Sequence, residues 1–86
     1  MPYINQDARV RLAKDGFAPS VAGAAQSPGA LNYMLTTMCH YYIDKRGTSY
    51  AVLNEVMGVL ACVQAELYRI RAAPYEDKKS IENGPV

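Results

Sequence analysis

The chain holds one histidine, His40, and two cysteines, Cys39 and Cys62, so its capacity for metal, thiol or imidazole chemistry rests on three side chains. Asp44 follows His40 by four residues. On a helix that spacing sets the two side by side, an arrangement that orients an imidazole for proton transfer. No nucleophile shares their face, because the adjacent Cys39 is turned about 100° away. The pair therefore reads as a surface histidine beside an acid. Structural zinc takes about four Cys or His ligands and catalytic zinc about three protein ligands; three such side chains scattered over two segments predict no metal site. Glu55 and Glu66 fall on one side of a helix but about 16 Å apart along its axis, too far to act on one bond. Glu66 instead has Arg69 three residues on, an ordinary helical ion pair. Gly29 and Gly47 stand alone and Gly58 falls inside a helical pattern, so no glycine-rich phosphate loop is present. These observations predict a protein that is not an enzyme and carries no cofactor.

Aromatic residues carry more information. There are seven tyrosines, one phenylalanine and no tryptophan. Tyr33, Tyr41, Tyr50, Tyr68 and Tyr75 cannot all enter a small core. A tyrosine near Arg or Lys suits stacking on a base while a cation pairs a phosphate. Tyr33, His40, Tyr68, Arg69 and Tyr75 are accordingly the candidate contacts for a nucleotide-like ligand held between subunits. The plainer reading of the same residues is amphipathic packing along helix edges. A formal charge of +1, with Arg9/Arg11, Lys45/Arg46 and Arg69/Arg71 each near acids, lacks the concentrated basic face of a duplex binder.

The elements that must position these residues are helices. A weak helical pattern covers residues 5–15, with Asn5 or Asp7 as its cap, and Gly16 to Ser20 interrupts it at Pro19. Residues 16–26 have no settled conformation from pattern alone; Val21 to Ala25 suits another turn or two. Ser27-Pro28 is a cap followed by proline at the first helical position, and Gly47 follows two cations, so a second helix spans 28–46. Leu31, Met34, Leu35, Met38 and Tyr42 give it an apolar face. A third and longest helix spans 49–72, capped by Thr48 or Ser49 and ended by Pro74. A short polar helix over 75–83 stops at Gly84.

The third helix has two distinct sides. Leu53, Val56, Leu60, Val63, Leu67 and Ile70 recur at steps of three and four, the stripe of a packed helix. Nearly opposite lie Ala51, Gly58, Ala61, Ala65 and Ala72, with Asn54 among them. Small residues let a second backbone approach closely, and an amide among alanines either meets water or fixes register across an interface. The first and second helices are expected to cover the bulky stripe. That leaves Ala51, Asn54, Gly58, Ala61 and Ala65 as the candidate interface for another subunit. The expected fold is all-α, one domain over 1–86, a small helical bundle or αα-hairpin with a long third helix completed by homo-oligomerisation, a dimer being favoured.

Met1-Pro2-Tyr3-Ile4, Leu31-Asn32-Tyr33, Asn54 to Leu60, Glu66-Leu67-Tyr68-Arg69, Ala72 to Lys79 and Glu82-Asn83-Gly84 together resemble a family of short uncharacterised proteins, a domain of unknown function found in bacteria, archaea and phages. The resemblance covers most of the chain from residue 27 onward. Between residues 8 and 26 the chain departs from the pattern, with Gly16, Pro19 and Gly23 where the family has a charged helix. The resemblance implies no activity; its distribution implies an accessory role in phages or mobile elements. No apolar leader follows Met1 and no uninterrupted apolar run reaches membrane-span length, so a cytoplasmic protein with reduced cysteines is expected, an inter-helix disulfide being the alternative. The leading functional expectation is a non-enzymatic oligomeric module that engages another protein; the second is binding or sequestering of a nucleotide-like ligand.

Overall fold

The computed structural model describes residues 4–14 and 26–85. The expected break at Gly16 to Ser20, the extra turn at Val21 to Ala25, and the opening Met1-Pro2-Tyr3 lie outside them. Among the described residues all regular structure is helical: α1 (Gln6–Lys14), α2 (Pro28–Arg46), α3 (Tyr50–Leu67), a π-helical turn (Tyr68–Ala72) and α4 (Ala73–Asn83). The fold class is all-α with a long third helix. The chain divides into two compact units, Pro2–Leu53 and Asn54–Val86.

The first unit is organised by its helix ends. Asn5 caps α1, its Oδ1 accepting from the Ala8 N–H at 2.8 Å. Ser27 caps α2: its backbone is extended, and its Oγ accepts from the Ala30 N–H at 3.0 Å. Pro28 then occupies the first helical position, where a missing N–H leaves no bond unmade. At the other end Gly47 donates its N–H to the Ile43 carbonyl at 2.8 Å with φ at +87°. A side chain there would be strained, so glycine is what allows the chain to leave the helix in this direction. Within α2 Thr36 Oγ1 donates to Asn32 Oδ1 at 3.1 Å, one turn back. Its apolar residues do not resolve into one covered face. Leu31, Leu35, Met38 and Tyr42 are exposed, while Met34 and Ala30 one turn before it, and Cys39 and Ile43 on the far side of the helix, are half-buried.

Ser49, of the two candidates, begins the long helix: its Oγ accepts from the Val52 N–H at 3.2 Å and its carbonyl from the Leu53 N–H at 2.9 Å. The helix does not end at Pro74. It runs continuously through Tyr50–Asn83, 34 residues. The expected stop is replaced by the π turn. Ala73 donates to the Tyr68 carbonyl, five residues back instead of four. In a regular α-helix the ring of Pro74 would collide with the Ile70 carbonyl, and that carbonyl would have no donor from position 74. Widening the preceding turn separates the two, and Pro74 becomes the second residue of α4, where no N–H is required. Proline interrupts the hydrogen-bond ladder while the helix continues. Gly84, at φ +85°, is the stop.

The helix Tyr50–Asn83 contains an 18-residue window of mean hydropathy 1.2, which is long and apolar enough to cross a membrane by length and composition alone. Asn54, Glu55, Gln64 and Glu66 divide that segment, so its apolar residues form no uninterrupted run.

Candidate functional site

Position along a helix fixes what the long helix presents. Leu53, Val56, Leu60, Val63, Leu67 and Ile70 lie on one stripe because they recur at steps of three and four residues, close to the roughly 3.6 of one helical turn. Among the described residues this stripe is largely open. Val56 is buried, 8 % exposed, and it is the only buried hydrophobic side chain among the described residues. Leu53 and Leu60 are each 38 % exposed, Val63 40 %, and Leu67 and Ile70 each 57 %. Apolar surface of this kind gains roughly 25 cal/mol for each Å² withdrawn from water, so a line of five half-open aliphatic side chains is an incomplete core.

The opposite side is open as well. Ala51, Asn54, Gly58, Ala61 and Ala65 are all exposed. A Cβ placed on Gly58 would meet no atom within 4 Å. Both sides of the long helix therefore have room for a second backbone, and they differ in what they would gain from one. The bulky stripe would withdraw aliphatic surface from water, whereas the small-residue side offers mainly close approach.

The π turn gathers three of the candidate ligand contacts. Tyr68 donates its hydroxyl to Glu76 Oε2 at 3.2 Å, across the turn and eight residues away. That hydrogen bond and the negative charge of Glu76 both oppose loss of the phenol proton and hold the Tyr68 hydroxyl above the ordinary tyrosine range. Arg69 Nη2 donates to both carboxylate oxygens of Glu66, at 3.0 and 2.9 Å. The Tyr75 ring has the Lys79 ammonium 5.6 Å from its centre. Two acids thus answer the hydroxyl and guanidinium that a phosphate would need. Tyr33, 72 % exposed, and His40 belong to the other unit, on α2, where Asp44 lies one turn beyond His40 and both are exposed.

Some contacts escaped the sequence reading. The Arg46 guanidinium lies 3.7 Å from the centre of the Tyr42 ring, a stacked pair at the end of α2. The four-residue spacing was the available signal for it. The Tyr68–Glu76 bond was hidden by the assumption that Pro74 ended the helix. Cys39 and Cys62 are free, half-buried thiols. Among the described residues no group of three or more His, Cys, Asp or Glu is gathered so that it could hold a metal ion. The ion pairs Glu66–Arg69 and Lys79–Glu82 lie at the surface, where each contributes little to stability.

Comparison with curated proteins gives no match, and comparison with solved structures gives none. The family described as a domain of unknown function, DUF6899, matches residues 1–86. With the match spanning the full sequence, the chain belongs to the DUF6899 family.

Proposed function

We propose that this protein is a self-associating helical module, a non-enzymatic building or docking unit whose long helix supplies the surface through which copies assemble. The observation that carries this reading is the half-open stripe Leu53, Leu60, Val63, Leu67 and Ile70. Apolar stripes of helical period are stable when another helix covers them. The bulky stripe takes the role of self-association first assigned to the small-residue side. Ala51, Asn54, Gly58, Ala61 and Ala65 remain available for close approach by a second backbone on the other side of the helix.

Two other readings are weaker on specific grounds. A nucleotide-like ligand at Tyr68, Arg69 and Tyr75 would bring its phosphate against Glu66 and Glu76, which already hold the guanidinium and the hydroxyl. A membrane span would carry Asn54, Glu55, Gln64 and Glu66 into the bilayer, and a charged side chain at its centre costs about 3 kcal/mol or more.

Sedimentation equilibrium of the full chain at tens of micromolar tests the proposal. Self-association predicts a mass well above 9.4 kDa for the wild type. It also predicts a return toward the single-chain mass in Leu60→Glu, which puts a charge on the stripe. Ala61→Arg, on the opposite side, should leave the mass unchanged if the bulky stripe alone joins the copies. A single-chain mass for the wild type overturns the reading, as does a chain recovered only with membranes and released only by detergent.

A further inference from the structure

We infer that the Tyr68 hydroxyl and the Glu76 carboxylate form a latch that closes only over the widened turn, and that this latch selects the rotational setting of α4 on the long helix.

Pro74 by itself does not dictate that setting. A proline inside a helix leaves one backbone carbonyl without its usual donor and presses its ring against that carbonyl. The helix has two ways of relieving the conflict. It can kink with the number of residues per turn unchanged, or it can widen one turn and take up an extra residue. The two outcomes differ by one residue in the phase of everything that follows, a rotation of α4 by about 100° about the helix axis. Here the second outcome is realised. Ala73 donates to the Tyr68 carbonyl, and α4 continues from there to Asn83.

The pairing of Tyr68 with Glu76 discriminates between the two. Eight residues along a regular helix carry the chain through about 800°, which leaves the eighth about 80° round the cylinder from the first. Position 75, seven residues on at about 700°, would face Tyr68 instead, and it holds a second tyrosine with no charge to offer. The residue absorbed by the π turn moves the count back by one. Glu76 thereby takes the place that Tyr75 would have had, two turns beyond Tyr68 on nearly the same line. Two long side chains then close the gap, the Tyr68 hydroxyl donating to Glu76 Oε2 at 3.2 Å.

The neighbouring cation leaves Glu76 to this role. Lys79 stands three residues after Glu76, a spacing that makes ion pairs on helices. Its ammonium donates instead to Glu82 Oε2 at 3.2 Å and lies 5.6 Å from the centre of the Tyr75 ring. Glu76 is directed the other way, back across the turn to the phenol. A charged acceptor makes a stronger bond than a neutral one. Tyr68 is 54 % exposed, however, so water competes for both partners and the latch can open. Such a contact biases a choice between two arrangements of the helix without locking either.

Hydrogen–deuterium exchange of the full chain tests this, followed at the amides of residues 69–83. Tyr68→Phe removes the hydroxyl and keeps the ring. It should speed exchange there roughly threefold, while the amides between Leu53 and Leu67 keep their rates. No acceleration overturns the latch. The same replacement should be silent in two other backgrounds. In Glu76→Ala the hydroxyl has already lost its acceptor; an acceleration that survives there means that it acts through another group, which overturns the pairing. In Pro74→Ala the turn returns to ordinary width and carries Glu76 out of line. An acceleration of the same size in that background shows a bond indifferent to the turn, and overturns the selection of a setting.

Discussion

α2 and the long helix are both apolar, both regular over many turns, and stabilised in opposite ways. α2 is specified at its ends: Ser27, Pro28 and Gly47 satisfy or remove the backbone groups that a helix leaves open, while its apolar side chains spread round the cylinder. The long helix is specified by a face. Its stripe keeps time over 18 residues, from Leu53 to Ile70, yet it carries a proline in its interior and a turn of the wrong width to accommodate that proline. Capping residues determine where a helix begins and ends at a cost or gain of about 1 kcal/mol each. A periodic face determines what the helix must be packed against.

The largest expected effect sharpens that contrast. On the proposed self-association, Leu67→Ala should destabilise the protein by about 2–5 kcal/mol, the range for leucine removed from a packed core, because a second copy would enclose the side chain. Leu35→Ala, on α2 and 42 % exposed in the single chain, should cost less than half as much. Chemical denaturation at matched protein concentration measures both. Equal losses at the two leucines would abolish the distinction between a helix specified by its ends and one specified by its face.

Pro74→Ala comes next. An alanine restores the N–H and removes the ring, so the π turn loses its cause and the helix gains up to about 3 kcal/mol of intrinsic stability. The melting temperature and the helical dichroism should both rise. Should neither change, the π turn would have a cause other than proline.

Ser27→Ala should cost α2 about 1 kcal/mol by leaving the Ala30 N–H without its acceptor. The oligomeric mass should not move, because the cap lies off the stripe; a lower mass would tie the two helices together more closely than their separate logic allows. The smallest effect is at Tyr68. Its raised ionisation means that the folded protein holds the phenol proton more tightly than the unfolded chain does. The corresponding stability is present at neutral pH and is lost as pH climbs from the ordinary tyrosine value through the raised one. Glu76→Gln removes the charge, and tyrosinate absorbance should then show that one group titrating at lower pH. An unmoved titration would place the cause elsewhere.

Much of this architecture is readable from the residues alone, and the reason is local. Caps act through neighbours three residues away, so Asn5, Ser27, Gly47, Ser49 and Gly84 announce themselves in sequence. Pro74 misleads because the rule against interior proline assumes a turn of standard width, and the widening depends on backbone adjustments with no residue signature. The bulky stripe is equally legible, but a stripe states that a face seeks cover without naming the cover. Around Tyr68 and Arg69 the pattern identified the neighbourhood but left out Glu76, whose position depends on the same unforeseen turn.

The wide turn also divides the helix mechanically. At Tyr68–Ala72 the backbone ladder is spaced five residues apart instead of four, and Pro74 contributes no rung at all. Opening the chain there sacrifices fewer bonds than opening it two turns earlier. The amides of Ala73–Asn83 should therefore exchange with deuterium as a block, ahead of those between Leu53 and Leu67. That would make the terminal segment a detachable arm at the end of a persistent rod.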